Sequence, residues 1–289
     1  MIKSPVRAIL DAIDAAARCW SDACFPARMR ASQAVTERTG YSQPMVEYAL
    51  DRLFGEVRRD ALASVIEDEL GSLGTLDEFT PRGGRPPARA LAIGRVCIVS
   101  SRTTIGVAIL PAIFALCAKC EIVVKDREDH LVAAFFETLS AELPELRDFA
   151  LAQTWHGDVD AVGLSNFDAV VAFGSDATIQ KIGEHVRPPA RFIGYGSRAS
   201  AGYVTREVLN GERAAQRIAR NAARDLALYE SEGCLSLHAL FVEEGGVVSV
   251  EGFTQALVEA LREFAREFGE PNAEHRAPRN SPRHRALSP

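Results

Sequence analysis

Apolar residues in the first seventy positions recur at intervals of three and four: Val6, Ile9, Leu10 and Ile13, and later Val46, Leu50, Leu53 and Phe54. That spacing lays them along one stripe of a helix, so residues 1–72 are expected to be helical. The next stretch, Gly71 to Pro87, carries Gly74, Pro81, Gly83, Gly84, Pro86 and Pro87 and reads as a turn-rich connector. From Ala90 the pattern changes to short, continuous β-branched runs: Val96–Val99, Ile122–Val124, Asp168–Phe173 and Ala190–Ile193. They alternate with helical stretches from about Ile105 to Lys119, from about Leu131 to Leu143, and from about Asp176 to His185. Continuous apolar strands alternating with helices predict a parallel sheet covered on both faces. The expected fold is α/β, a doubly wound, mostly parallel Rossmann-like sheet preceded by a helical N-terminal segment. Such sheets bind ligands beyond the carboxyl ends of their strands.

Downstream, Arg213 to Leu228 has helical spacing and Leu237 to Val242 reads as a buried strand. A turn at Glu243–Gly246, a short strand Val247–Val250 and an amphipathic helix from about Phe253 to Phe268 follow. Residues 271–289 hold four prolines and almost no large apolar side chains, a composition that cannot build a core. Disorder is expected there, and a solvated, incidental basic tail is the plainer reading of so short a run. The organisation expected is a helical segment 1–88, an α/β domain 89–232, the start of an incomplete second domain 233–270, and a tail 271–289.

Composition narrows the function classes. A chain of 289 residues, 47% hydrophobic and 25% charged, is an ordinary soluble globular protein. Its net charge of −6 supplies no electrostatic reason for nucleic acid or an anionic membrane as partner. No apolar run is long enough to span a bilayer, and the first residues lack a signal-peptide core, so the cytoplasm is the expected location. Six cysteines without a secretion signal predict free thiols rather than a disulfide framework. The Cys117-Ala118-Lys119-Cys120 pair has the C-x-x-C spacing, but it has no second pair and lies on an apolar helical stripe, so no metal or redox site is expected.

Cys234 is placed differently, between a helical run and an apolar strand-like run, on the kind of connector where function concentrates. The alternative is a small buried hydrophobe, the usual fate of a free cysteine. Three pieces stand in order along the chain: Val123-Val124-Lys125-Asp126-Arg127-Glu128, Phe173-Gly174-Ser175, and Glu232-Gly233-Cys234-Leu235-Ser236. Together they resemble the aldehyde dehydrogenase superfamily, and within it the fatty acyl-CoA reductases of the bacterial luciferase system, over roughly Ala90 to Val242. The resemblance implies an NADH- or NADPH-dependent reduction of an acyl-CoA, or a related activated acyl group, to an aldehyde. It assigns Lys125 and Glu128 to the adenosine ribose, a donor and an acceptor suited to vicinal hydroxyls; a solvated charge cluster is the alternative. It assigns the Gly174-Ser175 turn to the pyrophosphate, where a glycine and a helix start suit an anion, though Ser175 also fits a simple N-cap. It makes Cys234 the nucleophile, with a backbone N–H nearby for the oxyanion.

Departures from the family pattern are equally legible. Asp126 replaces a proline, and the Phe173 turn is one residue short. Arg102 stands where the family has an oxyanion-stabilising asparagine. The closest match to the general-base motif is Gly194-Tyr195-Gly196-Ser197, which has no acid, so transfer to a thiol or phosphate is expected rather than hydrolysis. His238, four residues along a strand from Cys234, lies over ~13 Å away and reads as structural. The family continues well past the cysteine, so the chain is expected to be either a truncated product or one that needs a homo-oligomeric or complementing subunit. Two other readings stay open: a catalytically silent nucleotide-binding or oligomerisation module, and an acyl-phosphate reductase.

Overall fold

In the computed structural model, which describes residues 2–101, 103–126, 130–154 and 163–269, the apolar stripe of the first residues becomes helix α1 (Val6–Ser21). Its Ile9, Leu10, Ile13, Ala16, Ala17 and Trp20 are all fully buried. Helices α2 (Pro26–Thr39), α3 (Gln43–Glu56) and α4 (Arg59–Leu70) follow. Proline in the first turn and the Ser42 side chain, which accepts from the Met45 N–H, start α2 and α3 respectively. The turn-rich connector contains a hairpin of β1 (Thr80–Arg82) and β2 (Arg85–Ala88), closed by Gly83 and Gly84, both at positive φ.

The α/β domain then runs β3 (Arg95–Val99), α5 (Ile109–Cys117), β4 (Glu121–Lys125), α6 (Leu131–Glu142), β5 (Ala150–Gln153), β6 (Ala169–Phe173), α7 (Asp176–His185) and β7 (Arg191–Tyr195). Its five strands are all parallel, in the order β5-β4-β3-β6-β7. The expected doubly wound sheet is therefore present, and its order reverses beside β3. A second unit follows: β8 (Ser200–Val204), α8 (Glu212–Ala227), β9 (Leu237–Val242) and α9 (Val250–Phe268), with β8 and β9 paired in parallel.

The two-residue period of a strand sorts the core. Val96, Ile98, Ile122 and Val124 face a large cluster built with α1, α3, α5 and α6, whereas Cys97, Val99, Val123, Val170 and Ala172 face a smaller one with Leu164, Phe167 and Ile182. The N-terminal helices thus share a core with the sheet. Trp20 is the joint: its ring centroid lies 5.0 Å from Phe54 and 6.1 Å from Phe135 of α6, and its indole N–H donates to Thr138 Oγ1 at 3.0 Å. The end of α9 returns to the same helices, where Phe268 meets Tyr48 edge-on at 5.3 Å.

Several sequence expectations need correction. The hairpin, β5 and β8 carry weak strand signals, Ala150–Gln153 and Ser200–Val204 being short and partly small-residue; tertiary pairing makes them strands. Val247–Val250 is not a strand. There Val248 N–H donates to the Leu209 carbonyl, and Ser249 caps α9 by accepting from Gly252 N–H. β9 is a strand but not a buried one, because β8 is its single neighbour and Phe241 is 58% exposed.

Gly94 enters β3 at φ +112, and a Cβ there would fall 2.1 Å from the Asp168 carboxylate that accepts Arg95 N–H. Gly94→Ala is expected to cost about 1–3 kcal/mol, from the left-handed backbone together with displacement of Asp168. Urea unfolding should report it as a lower midpoint at an unchanged slope.

Candidate active site

The carboxyl ends of β3, β4, β6 and β7 form one edge. In register, Val99 lies between Lys125 and Ala172, and Phe173 sits opposite Tyr195. Sequence-assigned residues Lys125, Gly174 and Ser175 therefore fall on the same edge of the sheet, beside the point where strand order reverses. That is where open α/β sheets hold ligands. Arg102 and Glu128 lie outside the described residues, as does the tail 271–289.

At the end of β4, Lys125 is half-buried and its carbonyl accepts Ser100 N–H at 3.2 Å. Asp126, where the family pattern has proline, is buried, and its carboxylate accepts Val132 N–H at 3.2 Å in the first turn of α6. This substitution has a structural job: it closes the β4–α6 turn and supplies an acceptor to a helix start. Its position shortly before an apolar helical run was the available sequence signal.

At the end of β6, Ser175 caps α7, its Oγ accepting Thr178 N–H at 3.3 Å. Gly174 is packed against Thr178, so that a Cβ would stand 3.2 Å from it. Asp176, the first helical residue, accepts Ser197 N–H at 2.7 Å and thereby ties the end of β7 to α7. Gly196 has to be glycine for that approach, since its Cβ would lie 2.3 Å from the Asp176 carboxylate. Above the same edge Phe173 and Tyr195 stack at 4.8 Å, 8° from parallel. In the first βα turn, residues 100–108, the buried Thr104 hydroxyl has no hydrogen-bond partner among the described residues. A turn glycine and a helix start thus stand at the carboxyl end of β6, the kind of feature that can take an anion.

Cys234 lies in the turn from α8 to β9 and is exposed. Tyr229, Glu230 and Ser231 before it all have positive φ, 56°, 54° and 64°. Each such non-glycine residue costs roughly 1–2 kcal/mol, so other contacts must hold the turn. They are visible. Glu232 N–H donates to the Tyr229 carbonyl at 2.9 Å, Ser236 N–H to the Gly233 carbonyl at 3.0 Å, Ser236 Oγ to the Leu228 carbonyl at 3.2 Å, and Ser231 Oγ to the Leu226 carbonyl. Gly233 is enclosed, with Ser236 Oγ 2.9 Å and the Tyr229 ring 3.0 Å from where its Cβ would be. His238 points its Nδ1 at Ser200 N–H, 3.3 Å away across the β8–β9 pair.

The remaining thiols divide by burial. Burial pushes Cys97 up to about 12 against the opposing pull of Lys125, and Cys117 up to about 12 against that of Lys119. Burial also raises Cys120. Thiols held protonated in this way are poor nucleophiles and poor metal ligands. Cys24 and Cys234 are the exposed pair. Among the described residues there is no cluster of three or more His, Cys, Asp or Glu side chains suited to a metal, and no helix long and apolar enough to cross a membrane.

The family model described as Acyl-CoA reductase (LuxC) matches residues 1–277. The long-chain acyl-protein thioester reductase 2 of Photobacterium leiognathi is 22% identical over 233 residues, covering 77% of this chain and 47% of that protein. Among solved structures, an oxidoreductase from Marinobacter aquaeolei superposes with a TM-score of 0.67 at 14% identity, covering 91% of this chain and 53% of its own. An acetylating aldehyde dehydrogenase from Geobacillus thermoglucosidasius superposes with a TM-score of 0.64 at 15% identity, covering 91% and 54%. The fold is that of the aldehyde dehydrogenases, and the chain spans about half the length of these relatives.

Proposed function

The chain belongs to the acyl-CoA reductase (LuxC) family, and from that premise we propose that it carries the acyl-accepting and nucleotide-binding parts of a reductase that converts an activated acyl group, an acyl-CoA thioester in the first instance, to an aldehyde. The observation that carries this reading is the exposed thiol of Cys234 on a turn held by four hydrogen bonds, while Cys97 and Cys117 are buried and kept protonated.

In this proposal the Cys234 thiolate attacks the thioester carbonyl, the CoA thiolate leaves, and the acyl group stays on Sγ. The Cys234 backbone N–H, and Arg102 by the family resemblance, would donate to the developing oxyanion. A nicotinamide nucleotide, NADH or NADPH, would supply hydride chemistry when bound. By the family resemblance Lys125 and Glu128 would hold its ribose, and Gly174 and Ser175 would bring backbone and a helix start to its phosphates. The segment Gly194–Ser197, which ends β7, contains no acid, and the adjacent Asp176 accepts Ser197 N–H. This supports release of an aldehyde or transfer to a thiol over hydrolysis to a free acid.

Incubating the purified chain with acyl-CoAs of several lengths should add the mass of one acyl group, mapping to the peptide that contains Cys234. Nucleotide binding with no adduct from any thioester would instead favour a silent nucleotide-binding module. An adduct from acyl phosphates alone would favour an acyl-phosphate reductase.

A further inference from the structure

Tyr41 belongs to the turn between α2 and α3, far in sequence from every candidate site residue, yet its side chain ends at the cysteine turn. The chain reaches it through Gly40, which closes α2 in the left-handed conformation at φ 76°. Tyr41 is buried, and its hydroxyl donates to the carbonyl of Thr103, in the first βα turn, at 3.0 Å. The same hydroxyl lies 3.5 Å from the carbonyl of Tyr229, at the head of the cysteine turn, and the two tyrosine rings meet at 6.0 Å. Tyr229 is also the first of the three residues at positive φ that lead to Cys234.

We infer that Tyr41 is a positioning residue that fixes the Cys234 turn against the first βα turn, so that the N-terminal helices set where the thiol stands relative to the strand ends. The inference rests on the reading of Cys234 as acyl acceptor. The physical basis is that the three left-handed residues give the turn no regular ladder to hold it, while a single hydroxyl reaches carbonyls on both segments. The ring packs against Tyr229, and the hydroxyl sets the register between the two turns. Attack on a thioester requires thiol and donors together; alkylation by a small haloacetamide requires the thiol alone.

The test is Tyr41→Phe, which keeps the ring. Three readings are taken on the full chain: the rate of acyl adduct formation, the rate at which iodoacetamide labels the Cys234 peptide, and amide exchange over residues 229–236. Acylation is expected to slow by about 10- to 100-fold, alkylation to stay within about twofold, and amide exchange of the turn to quicken. Restoring the hydroxyl with an unnatural phenol-bearing residue such as 3-fluorotyrosine at position 41 should recover the acylation rate. Unchanged acylation and unchanged exchange overturn the inference. Equal slowing of acylation and alkylation, or collapse of the melting temperature, overturns it as well, by assigning the hydroxyl to general folding. If the unmodified chain takes no acyl group from any thioester, the Cys234 reading fails on its own, and the exchange measurement still decides whether Tyr41 holds the turn.

Discussion

Cys234→Ser should form acyl adduct at less than about one-thousandth of the rate of the unmodified chain, a loss of roughly 4 kcal/mol in barrier terms. The substitution changes one atom on an exposed turn, so the fold should be untouched, and the effect isolates nucleophile chemistry. A cysteine reacts as thiolate, a few per cent of which is present at neutral pH even without help, whereas a serine hydroxyl needs an adjacent base to reach comparable reactivity. The histidine nearest in sequence, His238, directs Nδ1 to Ser200 N–H across the β8–β9 pair and lies along the strand away from the turn. CoA release from a saturating thioester, followed by chromatography, measures the rate directly. The internal controls are in the same chain: Cys97 and Cys117, with burial holding them at about 12, should stay unlabelled by iodoacetamide, while Cys24 and Cys234 react. A serine variant that keeps a tenth of the rate would remove Cys234 from the chemistry.

The parts of this molecule that were legible in its sequence are those in which local pattern and tertiary structure agree. The continuous apolar runs around Cys97, Val123 and Val170 became buried central strands, because each is flanked by strands on both sides and helices on both faces. The helix of Asp176–His185 was bounded by its own cap, Ser175. Of the edge strands, Ala190–Ile193 was legible as β7, whereas the weaker ones were not. β5 and β8 are strands through pairing with a neighbour, and β9 was read as buried from an apolar composition that the structure leaves half exposed. The candidate site residues Lys125, Gly174 and Ser175 stand out because they sit next to strands that are themselves recognisable, and Cys234 because a thiol on a connector is conspicuous; their roles remain proposals. Tyr41 had no such signal, since its role depends on a contact across 188 residues of chain. Asp126 was noticed only as a departure, and its contact with Val132 N–H explains the change.

The largest stability effect expected is at Glu47, through Arg28. Arg28 is the one arginine among the fully buried large side chains. Its guanidinium donates to Glu47 at 2.6 and 3.2 Å and to the Trp20 carbonyl at 2.9 Å, and pairs with Asp51 at 2.7 Å. Glu47 also accepts from Ser32 and, at 2.9 Å, from Gln43. Glu47→Ala would leave that guanidinium buried with one charged partner, the well-exposed Asp51, and breaking such a pair typically costs about 3–5 kcal/mol. For a chain of this size each kcal/mol moves the melting temperature by roughly 2–4 °C, so a fall of about 6–20 °C is expected in a thermal scan at neutral pH. Acid adds a second signature. Burial alone would raise the Glu47 carboxyl, but hydrogen bonds from Ser32, Arg28 and Gln43 and the charge of Arg28 outweigh it and hold the group below its ordinary value. A carboxyl depressed in the folded state contributes stability that is complete above its unfolded value, about 4.3, and is lost as pH falls through the lower folded value. The gap between the unmodified chain and Glu47→Ala should therefore be widest at neutral pH and narrow below about pH 4.3. A gap that stays constant down to pH 3 would show that Glu47 acts by packing, and that the buried guanidinium finds its counter-charge in Asp51.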